Sequence, residues 1–209
     1  MIYITEHTDR LDGNFLEKSQ NLLSSQRMEH IGKYALMSDR INGTLAYLLL
    51  KYGLEREYGI KEKPVFEYRE RGKPYLQGHE NIYFNMSHCK NAVVCILSDK
   101  NTAVDIMDIR KVGRGVIRRT CTENEKNLLL SSTQPDRDFI RLWTRKECYS
   151  KFDGRGLLMD FSQIGEDMPE MENIHTVDCG EYILSYYAEK PAAVIAVKAE
   201  ELLERRNLF

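Results

Sequence analysis

The sequence contains no C-x-x-C pair, and its cysteines are odd in number: Cys89, Cys95, Cys121, Cys148 and Cys179. Neither a disulfide framework nor a zinc knuckle is indicated, and reduced thiols inside a cell are the simplest account. Long apolar runs are missing too. Met1 to Arg10 offers a four-residue apolar opening before Glu6, Asp9 and Arg10, too short for the core of a secretory signal, and no stretch approaches a membrane span. These absences predict a cytoplasmic protein with no membrane attachment. Net charge is nearly absent, 30 basic against 32 acidic residues giving −2. A general nucleic-acid binder needs a strong basic excess to replace counterions along the backbone, so that class is set aside. No G-x-x-x-x-G-K-S/T occurs, and Gly154-Arg155-Gly156 is too short for a dinucleotide fingerprint, which excludes nucleotide hydrolysis by a P-loop. There is also no low-complexity tract or interdomain linker.

What is present is enough apolar material for a proper core, 42% of 209 residues. Ile41, Leu45, Leu48, Leu49 and Tyr52 predict a helix over Ser38 to Tyr52, with Ser38 able to cap its start and Gly53 its end. A helix from about Gln26 to Leu36, carrying Arg27 and Lys33, is expected before it. Extended segments follow at Val65 to Tyr68, Asn81 to Met86, Ala92 to Ser98 and Thr102 to Met107, and Ser98-Asp99-Lys100-Asn101 has the residue types of a hairpin turn. The pattern then comes round again. Thr122 and Glu125 form a capping box opening a short helix, Pro135 to Phe152 reads as a longer one, and strands return at Tyr182 to Tyr187 and Ala192 to Ala199. Asp153 to Asn173, with its glycines and acidic residues, reads as a surface loop. The expectation is an α+β fold of two similar halves, residues 1–103 and 104–209, packed as one body with a site in the cleft between them.

Few residues carry a chemical signal. Glu147 and Lys151 stand one helical turn apart and project together. Such a pair is also the commonest helix-stabilising surface arrangement, contributing about 0.2–0.5 kcal/mol, so it needs support from elsewhere. Asp105 sits near a strand end, where a carboxylate either caps a turn or holds a divalent cation. Mg²⁺ needs only one or two protein carboxylates when phosphate oxygens and water complete its octahedron, and Glu147 could supply the second. Lys73, in Arg71-Gly72-Lys73-Pro74-Tyr75, is a turn ammonium able to meet an anion, and Ser87 and His88 could donate hydrogen bonds to a phosphate. The basic cluster Arg110, Lys111, Arg114, Arg118 and Arg119 is either a solvated face or a dock for an acidic partner.

Taken in order, Gly72-Lys73-Pro74, Asn85-Met86-Ser87-His88, Val104-Asp105-Ile106 and Trp143-Thr144-Arg145-Lys146-Glu147 with Lys151 and Gly154 resemble the Sfp-type 4'-phosphopantetheinyl transferases, over about Ser38 to Gly156. That family has a pseudo-dimeric α+β fold. The resemblance implies transfer of 4'-phosphopantetheine from coenzyme A to a serine of an acyl or peptidyl carrier protein, of the holo-(acyl-carrier-protein) synthase type, releasing adenosine 3',5'-bisphosphate. It makes Asp105 and Glu147 the Mg²⁺ ligands, and Lys73, Ser87 and His88 contacts to the coenzyme A phosphates. Lys151 becomes a contact to the reacting pyrophosphate, and Glu147, or a water it holds, takes the serine proton. By the same analogy Lys33 and Arg40 meet the nucleotide's 3'-phosphate, the carrier docks on Arg110, Arg114 and Arg118, and the protein is a monomer. One departure stands out: Met107 occupies a position where many members carry a glutamate, with Asp108 displaced to the other strand face. It leaves two protein carboxylates for the metal, and it motivates an alternative, a non-catalytic relative that binds coenzyme A or a carrier.

Overall fold

The computed structural model describes residues 1–204 and shows a mixed α+β chain. It divides into two compact units: Met1–Thr102 together with residues 192–204, and Ala103–Pro191.

In the first unit, β1 (Ile2–Glu6) lies between antiparallel β5 (Ala92–Ser98) and parallel β9 (Val194–Ala196), with β4 (Tyr83–His88) outside β5. β2 (Phe66–Tyr68) and β3 (Pro74–Leu76) form a separate hairpin. α1 (Gly13–Ser19) and α2 (Ser25–Gly32) lead into the long α3 (Met37–Tyr58), and α7 (Ala199–Glu204) packs on α3. α3 covers the sheet with Leu45, Leu49 and Leu50, all fully buried, each contributing about 1.5–3 kcal/mol by removal from water. The helix runs beyond the expected end at Gly53 and stops at Gly59, whose φ of 70° is the left-handed cap that glycine accommodates. Gly53 has a different task. A Cβ there would lie 2.5 Å from Leu97 Cδ1 and 2.8 Å from Tyr3 Cε2, so its missing side chain is what lets α3 approach β1 and β5. Nor does Ser38 cap the start: the N-cap is Leu36, with no side-chain hydrogen bond. The short apolar opening of the chain is the central strand β1, and the segment expected as a strand of the second half, around Ala192 to Ala199, supplies β9 beside it.

In the second unit, β6 (Ala103–Asp108), β8 (Tyr182–Tyr187) and β7 (Ile174–Asp178) form an antiparallel sheet in the order β6-β8-β7. The expected hairpin at Ser98–Asn101 does not form, because β5 and β6 belong to different sheets; turn-type residues fix a change of direction, not a pairing partner. α4 (Arg114–Thr120) and α5 (Glu123–Ser131) precede α6 (Pro135–Asp153), which lies on the sheet and ends at Gly154 with φ 87°. The capping box forms as read: Thr122 Oγ1 accepts from the Glu125 amide, and Glu125 Oε2 accepts from the Thr122 amide at 2.8 Å. Asp153 to Asn173 is not a simple surface loop. It winds through 3₁₀ turns and buries Phe161, Ile164 and Met171 against Cys148 and Tyr149. Arg145 holds it down, reaching Glu166 with two nitrogens and the carbonyl oxygens of Met171 and Ile174.

Candidate functional site

Alternation along β6 puts Asp105 on the face that α6 covers. Its register partner on β8 is Ser185, whose hydroxyl lies 2.9 Å from that of Thr144 on α6. One turn beyond Thr144, Glu147 and Lys151 project from α6 by their four-residue spacing. Lys151 Nζ donates to Asp105 Oδ1 at 2.7 Å and to the Val104 carbonyl at 3.1 Å. The Asp105 side chain is only 8% exposed, so this is a shielded ion pair. Burial raises the pKa of Glu147, the negative charge of Asp105 raises it further, and Lys151 opposes both. Two carboxylates close enough to repel, with one ammonium between their demands, form a hard-oxygen donor set that fits Mg²⁺ or Mn²⁺. Met107 shares the strand face of Asp105 but packs with an apolar group that includes Cys121 and Phe139. Asp108 lies on the other face, opposite Tyr182. Among the described residues no group of three or more His, Cys, Asp or Glu side chains is arranged to hold a metal.

The first unit contains a cavity of about 450 Å³ with Arg27 and Asp39 both in its wall. Ser87 and His88, at the end of β4, line it with Arg27, His30, Tyr34 and Phe66. Arg27 and His30, three residues apart, share one face of α2. Gln26 anchors that helix by exchanging two hydrogen bonds with the backbone of Phe66, at 2.8 and 2.9 Å. Arg27 is 8% exposed, and its Nη2 donates to the Gly43 carbonyl at 2.7 Å. A side chain at Gly43 would crowd it, with Arg27 Nη2 3.4 Å and Tyr34 Cε2 3.1 Å from the Cβ position. Arg27 Nε is buried without a hydrogen-bond partner. Arg27 thus places a buried cation, with one donor left over, in the wall of a cavity that Asp39 also lines. His30, whose Nε2 lies 3.1 Å from the Tyr34 hydroxyl, has its pKa lowered by burial and by Arg27 and Lys33.

The other expected anion contacts lie apart from this cavity's wall. Lys33 lines a smaller adjoining hollow and pairs with Glu29 at 2.9 Å. Arg40 donates through Nε to the Tyr34 carbonyl, and Lys73 Nζ donates to Asn101 Oδ1 at 2.8 Å. Arg27 and His30 were legible in the sequence only as polar positions of a helix; their signal was the i, i+3 spacing of two cationic side chains.

A family model described as the 4'-phosphopantetheinyl transferase superfamily matches residues 102–197, which include β6, α6 and the Asp105, Glu147 and Lys151 cluster. Over those residues the chain is similar to that superfamily. It is 27% identical over 176 residues to 4'-phosphopantetheinyl transferase gsp of Aneurinibacillus migulanus, covering 83% of this chain and 72% of that protein. It is 24% identical over 213 residues to 4'-phosphopantetheinyl transferase psf-1 of Bacillus pumilus, covering 92% and 91%. With 4'-phosphopantetheinyl transferase Sfp of Bacillus subtilis (strain 168) the identity is 23% over 207 residues, covering 90% and 92%. Lys146, adjacent to Glu147, points away from the carboxylates into the protein. Its Nζ donates to Glu125 Oε2 at 2.6 Å, to Thr120 O at 2.8 Å and to Phe161 O at 2.9 Å. Lys146 ties α6, which carries Glu147 and Lys151, to the junction of α4 and α5.

Proposed function

We propose that the protein transfers 4'-phosphopantetheine from coenzyme A to a serine hydroxyl of an acyl or peptidyl carrier protein, leaving adenosine 3',5'-bisphosphate. The observation that carries this reading is the Asp105, Glu147 and Lys151 cluster on β6 and α6. Asp105 and Glu147 would hold Mg²⁺, which when bound supplies positive charge to the pyrophosphate oxygens. Lys151 adds a point charge where negative charge grows on the departing bisphosphate. Glu147, or a water it orients, accepts the serine proton as the oxygen attacks phosphorus. Ser87, His88, Arg27 and His30 bind the nucleotide phosphates, with Lys73, Lys33 and Arg40 as outlying cationic contacts. Arg27→Gln should raise the coenzyme A KM about tenfold or more, the loss expected for a buried charged hydrogen-bond donor. Lys33→Ala and Arg40→Ala should each change it by less than about threefold, as exposed charges do. Steady-state kinetics at fixed carrier concentration reads all three.

The carrier docks on α4 and α5. Arg110, Lys111, Arg114, Arg118 and Arg119 are all exposed, and α5 presents Leu128 at 65% and Leu130 at 85% exposure. A basic face beside exposed leucines suits an acidic amphipathic helix. Reversing charge at Arg114 and Arg118 together should raise the carrier KM at low salt about tenfold, leave the coenzyme A KM unchanged, and lose its effect as salt rises. Unchanged carrier KM at low salt would remove this dock. We read the protein as a cytoplasmic monomer; among the described residues no helix is long and apolar enough to cross a membrane.

A second reading, a non-catalytic binder, is favoured by one observation: Met107 sits on the strand face of Asp105 where a third carboxylate would stand. Intact-mass spectrometry of an apo carrier after incubation with this protein, coenzyme A and Mg²⁺ separates the two. The transferase adds one phosphopantetheine, and the gain disappears with Asp105→Ala or a chelator. Coenzyme A binding by calorimetry with no mass gain on several carriers would select the binder.

A further inference from the structure

The Lys151 ammonium and a divalent cation have claims on the same carboxylate. Lys151 Nζ is directed inward, to Asp105 Oδ1 at 2.7 Å and the Val104 carbonyl at 3.1 Å, although its side chain retains 26% exposure. The same ammonium offsets the repulsion that Asp105 exerts on Glu147. Its four-carbon stem can swing the charge to a new partner without moving α6.

We infer that Lys151 is a displaceable internal counter-ion. It neutralises Asp105 until a polyanionic ligand arrives, then moves to the ligand's phosphates and leaves Asp105 to the metal. The inference rests on the transferase reading of the site and adds an order to it. A dication arriving alone meets an ammonium on its ligand and binds weakly. A polyphosphate gives that ammonium another partner, so metal and coenzyme A bind with positive coupling, equal in both directions.

The test is Mn²⁺ binding followed by electron paramagnetic resonance on the full chain, with and without coenzyme A. In the wild type, coenzyme A should tighten Mn²⁺ binding about tenfold or more, a usual size for coupling between sites. Lys151→Met keeps the stem and removes the charge. It should bind Mn²⁺ alone about tenfold tighter than the wild type, through loss of like-charge repulsion, and coenzyme A should tighten it further by clearly less than in the wild type, the remainder coming from phosphate oxygens on the ion. Lys151→Arg, which keeps a cation, should retain weak binding of Mn²⁺ alone, and thermal melts confirm that each variant is folded. A Lys151→Met protein with wild-type coupling would show that Lys151 only repels the ion, and would overturn the hand-over while the transferase reading stands. If wild type with coenzyme A binds no Mn²⁺, the assignment of Asp105 and Glu147 as metal ligands fails and the inference fails with it.

Discussion

Glu147→Gln should abolish transfer and yet stabilise the ligand-free protein. Ionised Glu147 is unfavourable in the fold: burial raises its pKa first, the Asp105 charge raises it further, and Lys151 recovers only part of the cost. The sign follows from linkage. A carboxyl whose folded pKa lies above its unfolded value binds its proton more tightly when folded, so stability falls as pH rises from the unfolded value through the folded one. Above that window the loss is complete, and the isosteric amide escapes it. At pH 7.5 we expect Glu147→Gln to melt above the wild type, by about 1 kcal/mol, a common size for relief of functional strain. Turnover should drop about 10³-fold, as happens when a key electrostatic group is lost from an active centre. Asp105→Asn should lose transfer equally but become less stable, because Lys151 Nζ then faces an amide where it had a shielded carboxylate. Thermal melts and single-turnover mass spectrometry on the two variants read both quantities. A Glu147→Gln protein that turns over at the wild-type rate would remove Glu147 from the chemistry, whatever its stability.

Much of what positions this cluster was legible in the chain, because it depends on local spacing. Glu147 and Lys151 need only a helix, and Pro135 and Gly154 mark its ends. The capping box at Thr122 and Glu125 is likewise local, and it forms. Misreadings arose where a residue's role depends on a distant neighbour. Gly53 has the composition of a stop signal, but Leu97 and Tyr3 across the sheet make it a point of close approach, while Gly59 ends the helix. Ser98–Asn101 looks like a hairpin turn, yet β6 finds its partner in β8, some 80 residues on, with Asp105 opposite Ser185. Phe161, Ile164 and Met171 stand singly among glycines and acids, without periodicity, so their burial was invisible. Arg27 read as an ordinary helix charge until Gly43 and Phe66 closed around it.

Lys146 is the clearest such case, and its removal should have the largest effect on stability. The side chain is 1% exposed and its Glu125 partner 4%, and all three ammonium protons have an acceptor: Glu125 Oε2, Thr120 O and Phe161 O. Lys146→Met fills the volume but strands a buried carboxylate whose Oε1 has no hydrogen-bond partner and whose Oε2 keeps only the Thr122 amide. Breaking a buried pair from one side costs about 3–5 kcal/mol. In a chain of this size each kcal/mol shifts Tm by about 2–4 °C, so a fall of roughly 6–20 °C is expected. Adding Glu125→Gln should recover most of it, since the amide oxygen can still accept from Thr122 and no unpaired charge remains. Because Lys146 points away from Asp105, Glu147 and Lys151, the double variant should keep kcat within about threefold of wild type below its melting range. A Lys146→Met protein with an unchanged Tm would refute the ion-pair argument. A stable double variant without turnover would instead place Lys146 in the positioning of Glu147, one residue along α6.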